Sequence, residues 1–166
     1  GPQEISDHDY HLIALDSFKI LAEWYHYAIL EMTSAKGFKF DYSWIANRLD
    51  ISATEVRQAI QRLLRQELLE EKNDTICKTK SFVTNYDEGM TSSALKQLQR
   101  HVLEKALAAI DTVPSNEKDI TSMTMAIDEK RIPEAKRRIK QFRRSLCEFL
   151  ESGERTRVFN LGVQLY

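Results

Sequence analysis

Ser52, three residues ahead of Glu55 and at the head of an amphipathic run, constrains this chain more than any other feature. A Ser hydroxyl can accept the third backbone N–H of a helix while a Glu at that third position reaches back to the Ser N–H. The pair therefore fixes where a helix starts. Val56, Ala59, Ile60, Leu63 and Leu64 follow at helical spacing and give that helix a core face. Its opposite face carries Thr54, Arg57, Gln58, Gln61 and Arg65. A shorter amphipathic helix precedes it, with Trp44, Ile45 and Leu49 near i, i+1 and i+5. After it, Leu68 and Leu69 enter a strand, and Asn73-Asp74 sits between two short strand-like runs as a hairpin turn.

Helix, tight turn, helix and hairpin, carried here by Ile45-Ala46-Asn47-Arg48-Leu49, Ile51-Ser52, Val56, Ala59-Ile60, Leu63 and Leu68, resembles the winged helix-turn-helix transcriptional regulators. The resemblance implies a DNA-binding domain over residues 10–85 with a recognition helix over 53–66. Arg can fork onto guanine O6 and N7, and Gln can bond adenine, so Arg57, Gln58 and Gln61 suit base reading from the face that Thr54 shares. Arg62, Arg65, Lys72, Lys78 and Lys80 suit phosphate neutralisation. Glu55, Glu67, Glu70 and Glu71 crowd the same region and oppose DNA.

Charge bears on the same question. Residues 1–40 sum to −3, residues 41–85 to zero and residues 86–166 to +2. A dedicated nucleic-acid binder shows a basic bias; the net charge of −1 shows none. With 166 residues the chain has room for one domain or two small ones. No apolar run reaches the length of a membrane span, and no secretory signal opens the chain, so no membrane partner is expected. Cys77 and Cys147 have no metal or redox spacing and read as free thiols in a reducing cytoplasm. The four His residues are scattered without metal-site spacing, so neither a metal nor a cofactor is expected.

From the start of the chain, Gly1-Pro2 reads as the scar of a cleaved tag, residues 1–9 as a frayed start, and Tyr10 to Leu15 as a short strand that could edge the hairpin. Asp16 or Ser17 can cap a helix to about Thr33, with Phe18, Leu21, Ala22, Tyr25, Ala28, Ile29 and Met32 as its buried stripe and Gly37 as its C-terminal cap. Trp24-Tyr25-His26-Tyr27 lies within it. Four consecutive helical residues point in all directions, which favours packing over a shared ligand pocket. Ser81 to Met90 is a polar connector, and Thr91, Ser92 or Ser93 opens a linking helix over about residues 91–113.

The last part changes period. Asp119 to Asp128 alternates as a strand. Pro133 opens a helix whose buried stripe is Ile132, Ala135, Ile139, Phe142, Leu146, Phe149 and Leu150, and Val158 to Tyr166 alternates again. Residues 118–166 thus read as a small strand-helix-strand (βαβ-type) unit, and two strands alone need a further partner strand or a second chain. The fold class expected is α+β, mostly helical. A homodimer is expected through the helix of 92–112 or through the edge of the final sheet.

A closer resemblance runs through Phe18 to Glu31, Trp44-Ile-Ala-Asn-Arg-Leu49, Asp119-Ile-Thr-Ser-Met-Thr124 and Val158-Phe-Asn-Leu-Gly-Val-Gln-Leu165. These stretches are similar to an uncharacterised bacterial paralogous family, expanded in predatory and fibre-degrading bacteria and held to be regulatory. That family's pattern carries Arg before the Asp at the site of Asp119; here Lys118 stands there. The family also has an extra N-terminal helical region, which implies that this chain is the C-terminal part of a regulator. It supplies no catalytic motif.

The residues agree that catalysis is not expected. There is no glycine-rich phosphate loop and no paired Cys motif, and the carboxylates sit beside Lys or Arg as on solvated faces. A second basic site is formed by Lys136, Lys140, Arg143 and Arg144 at helical spacing. It suits a phosphorylated ligand or nucleic acid, or is a solvated helix face. Two functional readings follow. One is a winged-helix DNA-binding regulator; the other is a sensory, dimerisation or partner-binding domain answering a small-molecule or protein effector, its DNA contact made from an upstream region.

Overall fold

The structure is a computed structural model of the 166-residue chain, and it describes residues 6–79 and 88–166. The connector at 81–87 and Lys80 lie outside the described residues. The chain is mostly helical with one small antiparallel sheet, as α+β requires. It divides into two units, Gly1–Val102 and Leu103–Tyr166.

In the first unit, α1 spans Asp7–Ala22, α2 Tyr25–Met32, α3 Tyr42–Leu49 and α4 Ala53–Arg65, followed by β1 (Leu69–Lys72) and β2 (Thr75–Lys78). Each start has a local cause. The Ser6 hydroxyl accepts the Asp9 N–H, and an Asp41 carboxylate oxygen accepts the Trp44 N–H at 2.7 Å. At α4 the reciprocal pair forms in full, with Glu55 N–H donating to Ser52 Oγ at 3.0 Å and Ser52 N–H to Glu55 Oε2 at 2.8 Å. The turn between α3 and α4 is tight because Asp50 takes the left-handed conformation (φ 53°) and Ile51 N–H returns to the Ala46 carbonyl. Glu67 does the same after α4 (φ 57°), and Leu68 N–H bonds the Leu63 carbonyl at 2.9 Å. Asn73 and Asp74 both have positive φ, so a two-residue turn sets the register Lys72 with Thr75 and Leu69 with Lys78.

Two expectations for the start of the chain need correction. Tyr10 to Leu15 is helix, not strand: so short a run, apolar but for His11, fits either period, and the Ser6 cap nucleates a helix through it. The helix expected from about residue 17 to 33 is broken in two at Glu23, whose backbone is extended (φ −99°, ψ 112°). The break is held by aromatic neighbours. Tyr27 Oη donates to the Leu21 carbonyl at 3.2 Å, and His26 Nδ1 to the Glu23 carbonyl at 3.0 Å. Gly37 has φ 79° but serves the turn beyond α2, which already ends at Met32.

The core gathers on α4. Val56, Ala59, Ile60 and Leu63 are all buried, packed with Ile29, Leu30 and Met32 of α2, Ile45 and Ala46 of α3, Leu69 of β1 and Ile76 of β2. Helix α5 spans Glu88–Thr112, starting earlier than its Ser and Thr caps suggested, and within the first unit Ala94 is buried beside Leu21 and Ala22 of α1.

In the second unit the end of α5 leads through a 3-10 turn at Ser115–Glu117 and another at Glu129–Arg131 into α6, Ile132–Glu151, with Pro133 in its first turn. Lys118 Nζ donates to the carbonyls of Ala109 and Ile110 and so caps the end of α5, a task an Arg at this position could also perform. The runs 119–128 and 158–166 flank α6 in the expected order but form no strand ladder among the described residues. Neither run hydrogen-bonds to a neighbouring strand here, and alternation by itself supplies no partner. The α6 stripe expected to be buried is open, with Phe142 54%, Phe149 71% and Leu150 60% exposed.

Ser52→Ala should cost about 1 kcal/mol of stability in urea unfolding of the chain, because Ser52 and Glu55 satisfy each other's backbone donors. Asp41→Ala, which removes a one-way cap, should cost a similar or smaller amount.

Candidate nucleic-acid interface

Helix α4 turns its second face away from the core it anchors. Thr54, Arg57, Gln58 and Gln61 lie three or four residues apart, hence on one strip, and all four are exposed. The capping box fixes where that strip begins. The structure therefore brings Thr54 together with the three residues expected to read bases.

The basic residues expected around them divide. Arg65 is not a free phosphate ligand: its Nε and Nη2 donate to the two carboxylate oxygens of Asp16 at 2.8 and 2.9 Å. The Asp16 side chain is only 4% exposed, whereas that of Arg65 is 45% exposed. The hydrogen bonds it donates to Asp16 hold the Arg65 guanidinium still more firmly charged. Asp16 sits in the middle of α1 rather than capping a helix, and the bidentate pair fastens α1 to α4. Arg62 is half-buried, its Nη1 3.4 Å from His26 Nε2. Lys72, near the tip of the hairpin, is exposed with Glu70 4.0 Å away, and Lys78 bonds Glu31 at 2.9 Å. Lys80 lies outside the described residues. Of the expected phosphate ligands described, Lys72 is the one left facing solvent with only a loose acidic neighbour.

Sequence reading passed over Arg48. Its guanidinium stacks on Trp44 at 3.9 Å from the ring centroid, and Phe38 meets the same indole edge-on at 5.9 Å. The four-residue spacing of Trp44 and Arg48 on one helix was the available signal.

The aromatic cluster at the α1–α2 break is packing, in line with the expectation. His26 is fully buried. Burial pushes its pKa down from 6.5 to about 4, against the opposing pull of the Glu23 carbonyl, and nearby Arg62 lowers it further. Nδ1 donates to that carbonyl and Nε2 faces the Arg62 donor, so the ring is a neutral Nδ1–H tautomer. Burial also raises the Tyr25 phenol, with Glu23 adding to it. Glu23 further accepts from Gln97 Nε2 at 3.0 Å and lies 3.5 Å from His101 Nδ1, joining the middle of α5 to this cluster.

On α6, Lys136, Lys140, Arg143 and Arg144 share one face and are exposed, without an ion pair among the described residues. Their neighbours differ. Arg137 and Arg138 both donate to Glu134, and these bonds, Arg137's first, pull the Glu134 carboxyl down to about 2. Cys77 and Cys147 form no disulfide among the described residues, and their thiols donate to Glu70 and Glu151. Among the described residues no group of three His, Cys, Asp or Glu side chains is placed to hold a metal ion, and no helix is long and apolar enough to cross a membrane.

The first unit thus runs through four helices, the last two joined by a tight turn, into an antiparallel hairpin. The chain belongs to a family described as a domain of unknown function, DUF4423, whose model matches residues 6–166. No curated protein and no solved structure matches the chain.

Two outcomes test the assignment of these side chains. Arg65→Ala should destabilise the first unit by about 2 kcal/mol in urea unfolding, less than a wholly buried pair loses because Arg65 is partly solvated. Arg65→Lys, which keeps charge but not the fork, should recover part of that.

The second concerns pH. The unfolded chain binds a proton at His26 near pH 6.5 and the folded chain only near 4. Over that window the unfolded state holds more protons, so stability falls as pH drops from about 6.5 to about 4, by up to about 3 kcal/mol. His26→Gln should flatten that part of the stability profile measured by denaturant titration at successive pH values.

Proposed function

We propose that this chain is a non-catalytic part of a cytoplasmic transcriptional regulator, and that α4 is its DNA-recognition helix. One observation carries the reading: Thr54, Arg57, Gln58 and Gln61 form a continuous exposed strip on the second helix of a helix-turn-helix whose other face is wholly core. An α-helix fits the major groove, and Arg and Gln are the side chains that distinguish guanine and adenine there. Lys72 at the hairpin tip supplies a phosphate contact beside it. Arg65 contributes by holding α4 to α1, so its part in DNA binding is indirect.

A second reading is favoured by a specific observation. Arg62, Arg65 and Lys78 all have partners inside the protein, and residues 41–85 are neutral overall, so little positive charge is left to draw in DNA. On that reading the chain senses an effector or binds a partner, and DNA contact is made by a region upstream of these residues. The α6 face of Lys136, Lys140, Arg143 and Arg144 is then the candidate site for a phosphorylated ligand.

Selection from a random duplex library at low salt, with this chain and with the full-length regulator, separates the readings. The first expects this chain to enrich a sequence and to lose affinity steeply with salt. Arg57→Ala should then cost about 1–3 kcal/mol and relax preference at one position, while Lys72→Ala weakens all sequences alike. If only the full-length protein shifts DNA and Arg57→Ala is silent, the second reading holds. If neither binds, the regulator proposal fails.

A further inference from the structure

The second unit lacks something every stable domain has. From Leu103 to Tyr166 not one residue is buried, although the segment is rich in apolar side chains. Met123, Met125 and Ile127 of one alternating run are 79%, 55% and 55% exposed, and Phe159 and Leu161 of the other 64% and 42%. Phe149 and Leu150 on α6 and Leu107 at the end of α5 are open in the same way. A unit of this size without a core does not hold its conformation alone.

The two runs also begin at the same end. Arg157 Nη1 donates to Glu117 Oε2 at 3.1 Å, which ties the residues just before each run to one another. Among the described residues neither run pairs with a strand. Their backbone N–H and C=O groups form an edge awaiting a strand.

Area points to the size of the missing cover. The chain exposes 13091 Å². A compact monomer of 19.3 kDa exposes about 8,500 Å², and two separately compact domains of these lengths about 10,000 Å². Setting aside the thirteen residues outside the description, with a full extended-chain allowance of about 2,200 Å² for them, still leaves an excess of about 900 Å². A stable interface covers about 800 Å² per partner, so the excess is enough for one.

We propose that a second copy of this chain is the occupant: two copies pair through residues 103–166, each supplying strand partners for the other's runs at 119–128 and 158–166 and covering the apolar face of the other's α6. Each copy lacks an edge partner and a cover for α6, and each displays an alternating edge and an apolar helix face. Such a surface is self-complementary about a two-fold axis. The segment carries twelve basic and ten acidic residues, too nearly balanced to drive two copies apart. Lys140 and Arg144 stand off the apolar stripe, so pairing leaves them in solvent. This inference is independent of whether α4 binds DNA.

Sedimentation of the chain from low to high micromolar concentration should give twice 19.3 kDa. The double variant F142E/F149E should halve that mass while the helices of the first unit keep their circular-dichroism signal. Hydrogen exchange on the unaltered chain guards against a variant that merely fails to fold. Amides of 119–128 and 158–166 should be protected, and the protection should weaken on dilution. A monomeric mass at high micromolar concentration overturns the proposal, whether those amides are protected (cover from within the chain) or bare. So does a dimer in which these amides exchange freely, since its contact then lies elsewhere, for example on the Leu12, Ile13 and Leu15 face of α1.

Discussion

Everything in the first unit leans on the apolar face of α4. Val56, Ala59, Ile60 and Leu63 have essentially no exposed surface, and α1, α2, α3 and β1 all pack against that helix. Burying four such side chains is worth several kcal/mol, a large share of what a small domain can hold. The capping box at Ser52 and Glu55 matters because it sets the rotation and start of this one helix. The exposed strip of Thr54, Arg57, Gln58 and Gln61 is the geometric complement of that burial. The residues offered to solvent follow from the residues committed to the core.

Two polar devices refine this arrangement without creating it. Asp16 and Arg65 join α1 to α4 across forty-nine positions of sequence. A buried carboxylate needs such a fork, since a single point charge would leave one of its oxygens without a donor. Glu23, His26, Tyr27 and Gln97 make the break between α1 and α2 a defined corner: Tyr27 donates to the Leu21 carbonyl, His26 to the Glu23 carbonyl and Gln97 to the Glu23 carboxylate. Both devices draw side chains inward that a surface reading would place outside. They reduce the cationic surface of a region already neutral in net charge. The exposed polar strip of α4 therefore stands in a region with little net positive charge.

The two units differ in how completely the single chain satisfies them. The first closes its own core. The second carries the patterns of a packed unit, an amphipathic helix and two alternating runs, while its apolar side chains stay open. Hydrophobic patterning records which residues are to be covered; it says nothing of whether the cover comes from the same chain.

By itself, the sequence determined the helix-turn-helix and its hairpin. Those features rest on contacts three or four residues apart: a Ser with a Glu, an apolar stripe of period 3.6, and Asn73-Asp74 in a turn that tolerates positive φ. It likewise determined α6 from Pro133 to Ser152-Gly153, and the outward face of α4. Tertiary structure alone decided the fate of Arg65, since nothing local marks Asp16 as its partner. It decided the break at Glu23, where a continuous helical pattern yields to the hydrogen bonds of His26 and Tyr27. It turned Tyr10 to Leu15 into helix, because a short apolar run fits both periods until its neighbours choose. And it showed the runs at 119–128 and 158–166 without a ladder, because a strand is defined by the backbone beside it and alternation reports only which side chains share a face.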